Sequence, residues 1–294
     1  PRKKSKKGSQ KKHFSFPGAL GDEAYNQTID NIGFRIEIAD LSGYVPGFKT
    51  YKLKYYGTIT KKQIMDIKKF KLYHYPLTRS SRVRWLLHEI FDDNFELEIV
   101  NIHNGQLHNK NFISINPFHS IPLLEIEKEN GEVFHMIESG AIITFLADIY
   151  PEKKLSPHPI KDTIKRMDYL QMLHFCSTMM DMALWQIRMN TNILPESERS
   201  EIIIERYKKK ITLEIEPLIS SRLQRGQYLC GHDFYAVDCI LGHNVMWARS
   251  YGLFNSSSIK SYLSRISKRP AFVMAFSDYK DFDANVPRES SLSK

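Results

Sequence analysis

The sequence predicts an α/β half followed by an all-α half, with a basic extension in front, and three observations carry that reading. Residues 71–150 alternate strand-like and helix-like segments, residues 163–280 repeat apolar positions every three or four residues, and the surplus of positive charge lies within the first 70 residues. The expected organisation is an extension over 1–70, an α/β domain over 71–150, a linker over 151–162, a helical domain over 163–280 and a tail over 281–294.

In the α/β half, Lys71–Pro76 reads as a strand. Ser80–Ile90 reads as a helix, with Val83, Leu86, Leu87 and Ile90 on one face. Phe95–Ile102 makes the next strand, and a polar stretch leads to Asn116-Pro117 and Ile121-Pro122. Leu123–Lys128 and Glu132–Met136 form a hairpin around Asn130-Gly131, and Glu138–Tyr150 a closing helix. The order is β-α-β-α-β-β-α. Pro151–Asp162, with three prolines, separates it from the second half. There Ile164, Met167, Leu170, Leu173, Met180, Leu184 and Ile187 recur at helical spacing, as do Ile203, Tyr207, Ile211, Ile215 and Leu218.

Two short segments point to chemistry. An apolar residue before proline between β-like runs predicts a cis bond at Ile121-Pro122, leaving the Ile121 backbone open to pair with a ligand. Glu138-Ser139, opening a helix, offers a carboxylate, a hydroxyl and free N–H groups to a peptide-like ligand. Together these segments resemble the glutathione site of the glutathione transferase family, in its bacterial soluble form, and residues 71–280 follow that family's order. The segment Gly231–Leu241 is similar to the family's buried helix start, with Tyr235 where members carry Ser or Thr three residues before the Asp, here Asp238. Arg269-Pro270-Ala271-Phe272 fits its C-terminal pattern.

The resemblance implies a thioredoxin-like domain, a helical C-terminal domain and a homodimer. It implies glutathione as a substrate, added to an electrophilic small molecule. Its glutathione contacts carry over to Ile121, Pro122, Glu138 and Ser139, with His119 standing where the family often has a Gly-Lys pair. Gln106, His108 and Asn109 are polar candidates on the adjoining loop. An acceptor pocket between the halves brings in His174, Met179, Met182 and Trp185, although a Met and aromatic stripe at helical spacing is also what a core looks like.

Such an enzyme must favour glutathione thiolate, through a hydroxyl donor or a helix N-terminus. Alignment through Arg82-Val83-Arg84 puts Leu77 where serine- and omega-type members carry Ser or Cys, Thr78 at the bacterial beta-type cysteine, and Tyr73 at the catalytic phenol of other members. Ser80 and Ser81 open the helix. Thr78, Ser80, Tyr73 and no side chain at all remain open as the activating group. Without a thiol at 77 or 78, addition or substitution by bound glutathione is favoured over exchange through an enzyme mixed disulfide.

Charge tells a separate story. The formal net charge is +9; residues 1–70 hold 15 Lys and Arg against 6 Asp and Glu, and the remainder is balanced. The first twelve residues carry seven basic side chains, including Lys3, Lys4, Lys6, Lys7, Lys11 and Lys12, and no acidic one, a tail too polar to bury a core. Phe34, Ile36 and Ile38 alternate with polar residues, as do Tyr51, Leu53 and Tyr55, predicting two strands around Gly43–Gly47; Thr60–Gln63 could cap a short helix using Ile64 and Ile67. The arm supports an alternative function: a weakly active or inactive transferase-fold subunit of a large complex, ribonucleoprotein or mitochondrial. It would dock there on RNA or an acidic protein surface.

No segment reaches the length of apolar chain needed to span a bilayer, and no apolar region follows the basic start as in a secretory signal. The lysine-rich start departs from an arginine-rich mitochondrial presequence. The expected compartment is cytoplasmic, with the mitochondrial matrix as the alternative. Cys176, Cys230 and Cys239 have no CxxC spacing and read as buried, inert thiols of a reducing compartment. With no zinc-ligand cluster, Walker loop or dinucleotide fingerprint, neither a metal nor a nucleotide cofactor is expected.

Overall fold

A computed structural model of the chain describes residues 34–40, 51–57 and 67–278, and it divides into two units between residues 66 and 67. In the first unit, β1 (Phe34–Asp40) and β2 (Tyr51–Gly57) pair antiparallel, Phe34 opposite Gly57 and Asp40 opposite Tyr51. The Lys3–Lys12 tail and the Gly43–Gly47 turn lie outside the described residues.

The second unit opens with β3 (Ile67–His74), so Ile67 begins a strand and not the short helix expected around it. Its backbone pairs with Lys128, and its half-buried side chain packs on the core. After β3 come α1 (Ser80–Phe91), β4 (Glu96–Ile99), α2 (Lys110–Ile115), β5 (Leu123–Lys128), β6 (Val133–Ile137) and α3 (Ser139–Ile149). The sheet order is β4-β3-β5-β6, with β4 parallel to β3, and β5 and β6 antiparallel. This is the thioredoxin-like arrangement. Parallel β3 and β4 need a crossover, and α1 supplies it.

The helical half begins at α4 (Thr163–His174), which runs through a π-helical turn, Phe175–Met180, into α5 (Asp181–Arg188). Next, α6 (Glu201–Lys210) passes through a second π-helical stretch, Ile211–Ile215, into α7 (Glu216–Arg225). The helices α8 (Val237–Arg249), α9 (Ser257–Ile266) and α10 (Pro270–Ala275) complete it. Each π turn adds a residue and rotates the buried face. Residues repeating every three drift around a helix of 3.6 residues per turn, so Ile164 and Met167 lie exposed at the start of the run, Leu173 is buried before the π turn, Met180 within it, and Leu184 and Ile187 beyond it.

Helix α1 is the hub. Val83, Trp85, Leu86 and Leu87 have no exposure, because one face meets the sheet and the other meets α8 and α10. The Trp85 ring packs edge-on against Phe272, 4.9 Å between centroids, and Glu89 accepts both arms of the Arg269 guanidinium at 2.6 and 2.7 Å. At the start of α8, Asp238 accepts the Tyr235 and Leu229 N–H groups, each at 3.1 Å, and the Tyr262 hydroxyl at 3.1 Å. The carboxylate half of the helix-start box thus survives although Tyr235 brings no hydroxyl cap.

Candidate functional site

The turn from β3 into α1, the loop before β5 and the start of α3 meet the π-helical turn between α4 and α5 around a cleft of about 490 Å³. Arg79, Arg82, Ile121, Pro122, Glu138 and Ser139 line one side of it, and His174, Ser177 and Asp181 the other. Of the predicted site residues, Ile121, Pro122, Glu138, Ser139 and His174 therefore share one cavity, large enough for a tripeptide.

The loop before β5 is organised by Asn116, which is almost fully buried. Its side-chain N–H donates to the Ser120 carbonyl at 2.7 Å and its carbonyl accepts from the Phe118 N–H at 3.0 Å. The Ile121-Pro122 peptide is cis. Since β5 begins at Leu123, paired with Tyr73 and Ile137, the Ile121 backbone lies outside the ladder and beside the cleft. His119 is exposed, and its ring stands 4.7 Å from that of His108. It does not line the cavity; Ser120 does.

Glu138 takes a positive φ of 70°, which turns the chain from β6 into α3 with its side chain exposed at the cleft. Ser139 follows as the first helical residue, where N–H groups have no partner within the helix. Its hydroxyl oxygen accepts a hydrogen bond of 3.2 Å from Arg82, which leaves the hydroxyl proton for a ligand.

Arg82 is 1% exposed and is satisfied from both halves of the unit. It also donates to His243 Nδ1 at 3.2 Å, to Asn244 Oδ1 at 2.6 Å and to Asp181 Oδ1. Burial alone would raise the Asp181 carboxyl, but Arg82 and Arg79 hold it below the usual carboxylate range. His243, pushed down to about 3 by burial beside Arg82, is neutral. Accepting at Nδ1, it carries its proton on Nε2 and donates to the Leu77 carbonyl at 3.3 Å. Sequence analysis missed Arg79, Arg82, Asp181 and His243. Their one signal in the sequence is charge: Arg79 immediately before α1, and Arg82 and Arg84 within its first turn and a half.

The hydroxyl candidates are engaged elsewhere. His74, pushed down to about 3 by burial and then by Arg84, is neutral; Arg84 donates to Nε2 at 3.4 Å, so Nδ1–H donates to Ser80 Oγ at 2.7 Å. Thr78 gives its proton to the Tyr75 carbonyl at 2.7 Å and lies 2.7 Å from Ser80 Oγ, whose proton it can accept. Ser80 is fully buried. Tyr73 points into the sheet face, donating to Glu125 at 2.9 Å, and burial followed by Glu125 raises its phenol. None of Thr78, Ser80 and Tyr73 lines the cleft.

Of the residues expected in an acceptor pocket, His174 lines the cleft and Met179, Met182 and Trp185 do not; the two methionines are exposed and Trp185 is half-buried. The Arg79 guanidinium lies 4.9 Å from the Trp185 ring and 5.5 Å from that of Trp247. The cysteines are free: Cys176 and Cys239 are buried, Cys230 partly so, and burial pushes all three thiols up. Among the described residues no three His, Cys, Asp or Glu side chains gather as metal ligands, and no helix is long and apolar enough to cross a membrane.

Comparison with known proteins places this geometry. Residues 68–148 match the family described as glutathione S-transferase, N-terminal domain. A glutathione transferase from Methylococcus capsulatus str. Bath shares 25% identity over 72% of this chain and 100% of its own, with a TM-score of 0.61. A glutathione transferase from Burkholderia graminis, solved with two glutathione molecules per subunit, has a TM-score of 0.63 at 19% identity, covering 73% of this chain and 90% of that one. A family member from Pseudomonas fluorescens Pf-5, also with two glutathiones bound, gives 0.61 at 19% identity over 71% and 92%. No curated protein sequence matches the chain.

Proposed function

Because the chain belongs to the glutathione transferase family, we propose that its cleft binds glutathione and adds the glutathione sulfur to an electrophilic small molecule. The observation that carries this reading is the convergence of the free Ile121 backbone with Glu138 and Ser139 in one cavity. In this pose the cysteinyl residue of glutathione pairs as an extended strand with Ile121. The γ-glutamyl carboxylate takes the Ser139 hydroxyl proton and the N–H groups opening α3, and the Glu138 carboxylate takes the ammonium.

The electrophile enters from the helical side, past His174 and the exposed Met179 and Met182. A thioether forms as the thiolate attacks carbon. The proton of the thiol goes to solvent, and in a substitution the leaving group departs with the bonding electrons. The test is turnover of glutathione with an activated aryl chloride, read as chloride release. Ser139→Ala should raise KM for glutathione about tenfold or more; a rate equal to the uncatalysed background in the wild type would contradict the proposal.

The charge of the N-terminal arm favours a second reading, in which the transferase fold also docks on RNA or an acidic protein surface through Lys3, Lys4, Lys6, Lys7, Lys11 and Lys12. The two readings are compatible. A homodimer accompanies the first, and sedimentation of the full chain tests it.

A further inference from the structure

Resting on the glutathione reading above, we infer that the Arg79 guanidinium, and not a hydroxyl, is the group that holds the glutathione sulfur as thiolate. The first argument is the disposition of donors. The protons of Thr78 and Tyr73 go to the Tyr75 carbonyl and to Glu125, and Ser80 is buried beneath Thr78. Arg79 follows Thr78 directly and lines the cleft beside Ile121 and Ser139. Its Nε and Nη2 reach Asp181 at 2.7 and 2.6 Å. A guanidinium has five N–H donors in a rigid fork, so both hydrogens of Nη1 remain for a ligand.

The second argument is charge. Asp181 is the one carboxylate shared by Arg79 and Arg82, so the pair of guanidiniums keeps a surplus positive charge. The other titratable groups lining or backing the cavity are His243, which is neutral, His174, and Glu138, which is exposed and assigned to the ligand's ammonium. An anion beside Arg79 balances the surplus. Trp185 and Trp247 flank the guanidinium, fixing its plane and thinning its hydration, which strengthens a charge pair made there. On binding, the S–H bond ionises, its proton leaves to water, and the sulfur keeps the electron pair against the Arg79 N–H groups.

The experiment follows the ultraviolet absorbance of thiolate as pH is raised at saturating glutathione, in the wild type, Arg79→Gln, Arg79→Lys and Thr78→Val. Losing a cation within contact distance should raise the bound thiol by about one to two pKa units in Arg79→Gln, cutting the thiolate present at pH 7 about tenfold or more. Arg79→Lys should restore most of the shift, and Thr78→Val should move it by less than half as much. The proposal is overturned if Arg79→Gln titrates like the wild type. It is equally overturned if Thr78→Val abolishes the depressed thiol titration, a result that does not depend on the Arg79 variants folding. A wild type that binds no glutathione sinks the underlying site assignment, whereas one that binds it with an Arg79-independent thiol sinks only this inference.

Discussion

Arg82 and Ser139 are joined by a hydrogen bond of 3.2 Å that ties the interior of α1 to the first residue of α3. Because the same guanidinium also holds Asp181, His243 and Asn244, one buried side chain sets the ligand-facing hydroxyl and the interface between the two halves together. Ser139→Ala and Arg82→Met should therefore behave differently. Ser139→Ala removes one hydrogen bond to a charged ligand and should weaken glutathione binding by about 1.5–3 kcal/mol with little change in stability. Arg82→Met takes the shared donor from four buried acceptors, Ser139, Asp181, His243 and Asn244, and should cost about 3–5 kcal/mol of folding stability. Thermal unfolding and glutathione titration of the two variants check this.

Acid stability follows from two imidazoles. His74 and His243 are held near 3 in the folded chain against about 6.5 unfolded, so the stability they contribute is complete above pH 6.5 and is lost as pH falls toward 3. At pH 5 unfolding should take up about two protons at these sites. Buried Asp238, raised to about 6, works against them, since it is protonated when folded and ionises on unfolding. His88, also held below the usual imidazole range by burial, adds to the uptake, so the net dependence at pH 5 is at least about one proton, a slope of about 1.4 kcal/mol per pH unit or more. Denaturant unfolding across pH 4–7 measures it. His243→Gln should flatten the slope, and a wild type equally stable at pH 5 and 7 would contradict the assignment.

Gly242 marks the tightest approach between α8 and α1. A Cβ there would stand 2.8 Å from the Trp85 ring and 2.8 Å from Ile266 Cδ1, and the Trp85 ring is already enclosed by Phe234, Phe272 and Phe276. Gly242→Ala should cost about 1–3 kcal/mol through overpacking, despite its better helix propensity. Chemical denaturation would show the loss as a lower midpoint.

The arm carries its own test. If it docks on a polyanion, binding to single-stranded RNA should weaken steeply with salt, and deletion of residues 1–13 should remove that dependence while leaving glutathione turnover intact. Salt-independent binding, or binding unaltered by the deletion, would dismiss the docking role.

What the sequence revealed, and what it did not, follows from distance along the chain. The order of strands and helices was legible because periodicity is local, and the Ile121-Pro122 and Glu138-Ser139 pairs stood out because each is a short contiguous signal at an element boundary. Arg79 and Asp181 are 102 residues apart, and no pattern in either segment announces that α5 returns to the start of α1. Tyr73 could be aligned with a catalytic phenol. Strand register then sends its hydroxyl to Glu125, two residues beyond its partner Leu123 on β5. The helical stripe through Ile164 and Met167 looked continuous with Leu173, but a strict spacing of three drifts around a helix of 3.6 residues per turn, so the first two fall on the exposed face.

The most direct measurement is calorimetric titration of the full chain with glutathione, beside Glu138→Ala and Ser139→Ala. The account predicts saturable one-site binding that both variants weaken without loss of fold. Absence of heat up to millimolar glutathione, or wild-type affinity in both variants, would contradict it.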